Sequence, residues 1–156
     1  MAQGFFRTYF HPQGASLKER VLSASQYLLA CGLFNACPLP QEAEGLRQSV
    51  QYMGWLIEQG NCPLVYPEGK RSPDGGLLPF QSGIGFMARR LQMAVVPVHL
   101  EGLHGIYSVH HKWPQSGEVQ VRIGSALHFG AEQDYKEITK EIEAAVKALE
   151  LEQLHD

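Results

Sequence analysis

The sequence predicts an α/β fold with a mixed, mainly parallel central sheet and flanking helices. Three observations lead there. Short apolar runs alternate with stretches of helical periodicity along the whole chain. The run PLVYP at 63–67 begins directly after a helix stop and ends in a turn, as a buried parallel strand does. No repeat, low-complexity tract or linker interrupts the 156 residues, of which 44% are apolar and 19% charged, so they read as one globular domain over 1–156.

FFRTYF at 5–10 predicts a short aromatic strand that ends at His11, Pro12 and Gly14. Ser16 and Glu19 have capping-box spacing, and Leu17, Val21, Ala24 or Ser25, and Leu28 mark the apolar face of a helix running to Gly32. LFNACPL at 33–39 predicts a brief or edge strand, because Pro38 and Pro40 lack the donors of a central ladder. Over 42–59, Leu46, Val50, Met53 and Ile57 recur at helical spacing, and Gly60 stands where a left-handed residue terminates a helix. After PLVYP, a turn region extends to residue 76, and SGIGFMARRL at 82–91 predicts a short helix with Arg89 and Arg90 at its negative end. AVVPVHL at 94–100 is the next strand, LHGIYSVHHKWPQSG at 103–117 reads as loop with room for one short strand, and EVQVRIG at 118–124 alternates with period two, as a half-exposed strand does. Asp134 and Glu137 cap a last helix whose buried stripe is Tyr135, Ile138, Ile142, Ala145, Val146 and Leu149, with its glutamates outward.

Charge is unevenly placed: residues 1–130 carry a net +2 and residues 131–156 a net −5. With no basic stripe, a nucleic-acid partner held by counterion release is excluded, whereas smaller anions are not. The acidic last helix does not suit anionic lipid. Cys31, Cys37 and Cys62 have no metal-site spacing and read as core thiols in a reducing compartment. The first residues lack a signal-peptide pattern, and no run approaches the roughly 18 apolar residues of a membrane span. The expectation is a cytoplasmic protein with room for peripheral contact at the inner face of the membrane, through aromatic residues such as Phe5, Phe6, Tyr9, Phe10 and Trp113.

The densest chemistry lies in VYPEGKRSPDGGLLPFQSG at 65–83. Glu68, Lys70 and Arg71 follow an apolar strand inside a loop punctuated by Gly69, Gly75, Gly76, Pro67, Pro73 and Pro79. Guanidinium makes paired charge-assisted hydrogen bonds to phosphate and lysine adds a flexible point charge, so the loop suits an anion, with Glu68 placed to orient Arg71 or accept a substrate hydroxyl. The same composition also describes a solvated turn reversed at Asp74-Gly75.

FNACPLPQ at 34–41, the helix ending at Gly60, VYPEGKRSPDGGLLPFQSGIGFMA at 65–88 and VVPVHLEG at 95–102 together resemble the glycerolipid acyltransferase family, which includes the lysophosphatidate acyltransferases. The resemblance covers most of residues 30–130. It implies transfer of a fatty acyl group from acyl-coenzyme A or acyl carrier protein to a hydroxyl of glycerol phosphate, a lysophospholipid or a related acceptor. The thioester is a co-substrate, and no other cofactor is implied. Tyr66-Pro67-Glu68-Gly69 and Arg71-Ser72 resemble the family's third block, with Lys70 where threonine is more usual, so Glu68, Gly69, Lys70, Arg71 and Ser72 are the implied acceptor-binding residues. Gln41 closes the second block at a position usually held by an arginine. Val96, Pro97 and Val98 match the fourth, on the acyl-donor side.

The family's catalytic histidine, with an aspartate five residues later, has no counterpart. The residues five after His11, His99, His104, His110, His111 and His128 are Ser16, His104, Val109, Gln115, Ser116 and Gln133, and His155 is too near the end. No catalytic residue is therefore assigned. The chain resembles a domain partial at its N-terminus, whose proton-transfer pair comes from an upstream segment or a partner chain. Two alternatives stay open: a non-catalytic module that binds lipid or acyl carrier, and a scaffold whose sheet edge pairs with another copy. His99, His104, His110 and His111 cluster with Glu101 but in no metal-binding order, so no metal site is assigned, and Gly83 and Gly85 match neither nucleotide motif.

Overall fold

The computed structural model describes residues 43–107 and 113–151, together with Ser16, Lys18, Val21, Ser25, Leu28, Gly32 and Leu33. Its continuous elements are α1 (Ala43–Glu58), α2 (Gly83–Leu91), β1 (Val98–Glu101), α3 (Leu103–Tyr107), β2 (Gln120–Ile123) and α4 (Tyr135–Leu151). The chain forms two compact units, Met1–Tyr52 and Met53–Asp156. In the first, Lys18, Val21, Ser25, Leu28, Gly32 and Leu33 are helical, so Leu33, the first residue of the expected strand, is not extended. Val21 and Leu28 are exposed rather than core. The strands read at 5–10 and over the rest of 33–39, with Cys31, Cys37 and Gln41, lie outside the described residues.

Helix α1 forms one residue inside each predicted end, and Val50 and Met53 are buried as its periodicity requires. It closes in a Schellman turn: Gly60 has φ +80°, its N–H donates to Ile57 O at 2.8 Å, and the Asn61 N–H donates to Leu56 O at 3.0 Å. Cys62 directly follows this turn and is exposed, not a core thiol.

The mainly parallel central sheet does not form. Among the described residues there is a two-stranded antiparallel sheet, Val98 opposite Ile123 through Glu101 opposite Gln120, flanked by helices. PLVYP stays outside any ladder: Pro63 and Pro67 have no N–H to donate, and Leu64 and Tyr66 are exposed. The connection from β1 to β2 contains α3 and brings the chain back antiparallel instead of crossing over.

The pairing continues beyond the strands as Gly124 N–H to Pro97 O at 2.9 Å, then as a reciprocal pair between Val95 and Leu127. One residue, Val96, thus faces two, Ser125 and Ala126, which is a β-bulge. The period-two alternation at 118–124 marks β2, and its apolar side chains are the exposed ones. Val121 and Ile123 are 56% and 69% exposed, whereas Arg122 is half-buried and bonds Glu101 at 2.9 Å and Gln120 at 2.8 Å. Pro97 and Gly124 share the face of Arg122, and Gly124 lies against Leu149 of α4, so the polar face of β2 is the one turned toward the helix.

The core joins α2 to α4. Ala88, Ile138 and Ile142 are its buried centre, with Phe80, Ile84, Val95, Leu127 and Phe129 packed around them. Val146 and Leu149 complete the buried stripe of α4, while Tyr135 and Ala145 are half-buried. Asp134 caps α4 by accepting the Lys136 N–H at 2.8 Å. Gly85 lets the two helices meet closely, because a Cβ there would fall on the Tyr135 carbonyl and the Thr139 hydroxyl. Arg89, at the end of α2, lies 5.6 Å from the Tyr135 ring.

Candidate functional site

The loop between α1 and α2 is closed on itself. The Gln81 N–H donates to Pro67 O at 2.8 Å, so residues 67–81 leave and return at one point, as an Ω-loop does. A second tie lies just inside: Glu68 Oε2 accepts the Leu78 N–H at 2.8 Å. A third fastens the loop's exit to the core, where Glu143 Oε2 accepts the Phe80 N–H at 3.0 Å and the Phe80 ring packs against the core. The Lys147 ammonium at 2.6 Å, and then the Phe80 N–H, hold the Glu143 carboxyl below the ordinary glutamate range. Glu143 is therefore not one of the purely outward glutamates expected of the last helix.

At the loop's tip, the Ser72 hydroxyl donates to Asp74 Oδ1 at 2.7 Å and accepts the Gly75 N–H at 2.9 Å, and Asp74 Oδ1 also accepts the Gly76 N–H at 3.1 Å. The Ser72 hydroxyl is the main reason that Asp74 titrates below the usual aspartate value, followed by the backbone donors. The tip is thus a hydrogen-bonded turn, and Ser72 is a structural member of it. Gly69 and Gly75 take φ of +72° and +89°. A Cβ at Gly75 would come within 2.9 Å of His104.

Lys70 and Arg71 are exposed between these anchors. Arg71 meets Tyr107 rather than Glu68: its guanidinium carbon lies 5.4 Å from the centre of the Tyr107 ring. Glu68, Gly69, Lys70, Arg71 and Ser72 are therefore brought together on one closed loop, with α3 alongside it. Of the donor-side residues, Val96 is half exposed, Pro97 is buried, and Val98 starts β1. β1 leads directly through Gly102 into α3, roughly 13 Å along an extended strand from Val98 to Gly102.

Reading 103–117 as loop missed α3, and with it His104 and Tyr107. These two residues are three apart on one helical turn, the spacing that puts side chains on a common face. That spacing was the available signal. His99 lies in β1 beside Arg122, and His110 and His111 lie outside the described residues.

Among the described residues, the fold and the loop define a two-stranded antiparallel sheet flanked by helices, with two adjacent cationic side chains on a closed glycine- and proline-rich loop. A family model described as "Acyltransferase" matches residues 13–101, more than half of the sequence, and the chain belongs to that family. Human 1-acyl-sn-glycerol-3-phosphate acyltransferase alpha is 30% identical over 108 residues, which is 68% of this chain and 38% of that protein. The human beta enzyme is 36% identical over 63 residues, 40% of this chain and 23% of that protein. The chain thus spans well under half the length of these relatives. The crystal structure of the 1-acyl-sn-glycerophosphate (LPA) acyltransferase PlsC from Thermotoga maritima superposes with a TM-score of 0.63 at 22% identity, covering 86% of this chain and 52% of that one, and so shares its fold.

Proposed function

We propose that this chain supplies the acceptor-binding part of a glycerolipid acyltransferase. Arg71 and Lys70 hold the phosphate of glycerol phosphate, a lysophospholipid or a related acceptor, and Glu68 and Gly69 fix the loop that presents them. The acyl thioester of coenzyme A or acyl carrier protein lies on the side of Val96, Pro97 and Val98. The observation that carries the reading is the closed loop at 67–81, which leaves Lys70 and Arg71 exposed while its two carboxylates are engaged, Glu68 by the Leu78 N–H and Asp74 by Ser72 and the Gly76 N–H. The curated relatives are named as acyltransferases acting on 1-acyl-glycerol phosphate, which agrees in kind.

Transfer to a hydroxyl needs a base to take its proton as the thioester is attacked, a contribution of about 10²–10⁴ in rate. These 156 residues contain no histidine with an aspartate five positions on, so the base is assigned to another segment or a partner, and this chain contributes recognition. The same observation favours a second reading, a module that binds lipid or acyl carrier without chemistry. No helix among the described residues is long and apolar enough to cross a membrane. Trp113, 78% exposed, is the described residue best suited to peripheral contact at the inner face of a cytoplasmic membrane.

Incubating the chain with palmitoyl-coenzyme A and lysophosphatidate, with free thiol and lysophosphatidate binding both measured, separates these readings. Thiol release that depends on lysophosphatidate and falls in Arg71→Ala supports transfer. Binding weakened by Arg71→Ala without thiol release supports the binding module. Lysophosphatidate binding that ignores Arg71→Ala and Lys70→Ala overturns the assignment of the loop.

A further inference from the structure

We propose that Tyr107 is a positioning residue for phosphate recognition, holding the Arg71 guanidinium over its ring so that the loop offers a pre-set cation to the acceptor. The proposal rests on the reading of the loop as the acceptor site. Three observations carry it. Arg71 lies 5.4 Å from the ring centre of Tyr107, and both residues are otherwise exposed. Tyr107 belongs to α3, the helix whose His104 also lies under the loop at Gly75, so the aromatic ring sits on an element that contacts the loop at two points. The carboxylates and the hydroxyl of the loop are already committed: Glu68 to Leu78, and Ser72 and Asp74 to the turn. Tyr107 is thus the contact that the structure gives to the Arg71 head group.

The chemistry of guanidinium makes this contact compatible with binding. All five of its N–H donors lie along the edge of a planar group, and its faces carry none. An aromatic ring that meets the group through one of those faces removes no donor, leaving the fork free for two phosphate oxygens. A carboxylate in the place of Tyr107 would occupy those donors and compete with the ligand. Because the ring lowers the freedom of an otherwise exposed side chain before the ligand arrives, its removal should cost affinity and leave the fold intact. For an exposed cation–π contact, the expected loss is about two- to fivefold.

The test titrates short-chain lysophosphatidate, below its micelle concentration, into the full chain by calorimetry, with inorganic phosphate as a second probe. Four variants are compared with the original: Tyr107→Phe, Tyr107→Leu, Arg71→Ala and the double variant Arg71→Ala/Tyr107→Leu. Tyr107→Phe keeps the ring and should bind like the original. Tyr107→Leu should bind both probes two- to fivefold more weakly at an unchanged melting temperature. In the Arg71→Ala background, Tyr107→Leu should change nothing further. Equal weakening in both backgrounds, or no weakening by Tyr107→Leu while Arg71→Ala still weakens binding, overturns the role of Tyr107 and spares the loop assignment. Failure of Arg71→Ala to weaken binding, or no binding by the original chain, overturns the loop assignment itself and the inference with it.

Discussion

Replacing Gly85 by alanine tests whether α2 and α4 are in direct backbone contact. In a helix interior the substitution ordinarily stabilises by about 0.8–1 kcal/mol, because alanine restricts the unfolded chain and glycine does not. Here the added Cβ would fall on the Tyr135 carbonyl oxygen and the Thr139 hydroxyl. The carbonyl is backbone and moves only if α4 moves, which for an overpacked core costs about 1–3 kcal/mol. The Thr139 hydroxyl donates to that same oxygen at 2.8 Å, and loss of this bond adds about 0.5–1.5 kcal/mol. Against the propensity gain, the net is a destabilisation of about 0.5–3.5 kcal/mol, centred near 2 kcal/mol. In a chain of 156 residues, 2 kcal/mol corresponds to a fall in melting temperature of about 4–8 °C. Gly83, in the first turn of the same helix, is the control: a Cβ there meets nothing within 4 Å, so Gly83→Ala should leave the melting temperature level or raise it. Thermal unfolding followed by circular dichroism reads both. A Gly85→Ala protein as stable as the original would refute the close approach of the two helices.

Two carboxylates of the loop and its anchor give pH predictions of known sign. Asp74 is held below the ordinary aspartate value of 3.8, first by Ser72, so its stabilisation of the turn is present above that value and is lost as pH falls through the lower folded-state value. Ser72→Ala should raise the Asp74 pKa toward 3.8 in an NMR titration, and an unchanged value would remove the hydroxyl as the cause. Glu143 lies below its ordinary 4.5, chiefly through Lys147, so Lys147→Met should raise its pKa and move acid unfolding to higher pH. An acid midpoint that stays put would separate the Phe80 anchor from the ion pair.

What the sequence revealed followed the range of the interactions involved. Helices α1 and α4 were legible because their periodicity, caps and stops are local: Gly60 and Asp134 do in the structure what their positions imply. Sheet direction is a matter of distant pairing. A run such as PLVYP carries the apolar signal of a buried strand whether or not a partner ladder receives it, and here its two prolines and its exposed Leu64 and Tyr66 leave it unpaired. β2 shows the same limit in another form: the alternation was visible, but its apolar side is exposed and Arg122 turns inward, because Glu101 and Gln120 satisfy the guanidinium. At the site, the cations were visible as residue types beside glycine and proline. The assignment of Glu68 to Leu78, of Ser72 to Asp74, and of Arg71 to Tyr107 depends on how the loop folds back and on a helix that begins about thirty residues later.

The closure of the loop at Pro67 and Gln81 has a consequence for how this protein can change. Both ends are tied within one main-chain hydrogen bond, and the exit is sewn to the core through Phe80, so the residues between them form a cassette. Chain-closure entropy grows slowly, by about 0.6 kcal/mol for each doubling of loop length. Insertions that spare Gly75, whose close approach to His104 admits no side chain, therefore lengthen the loop at little cost to the helices beneath and without rebuilding the scaffold.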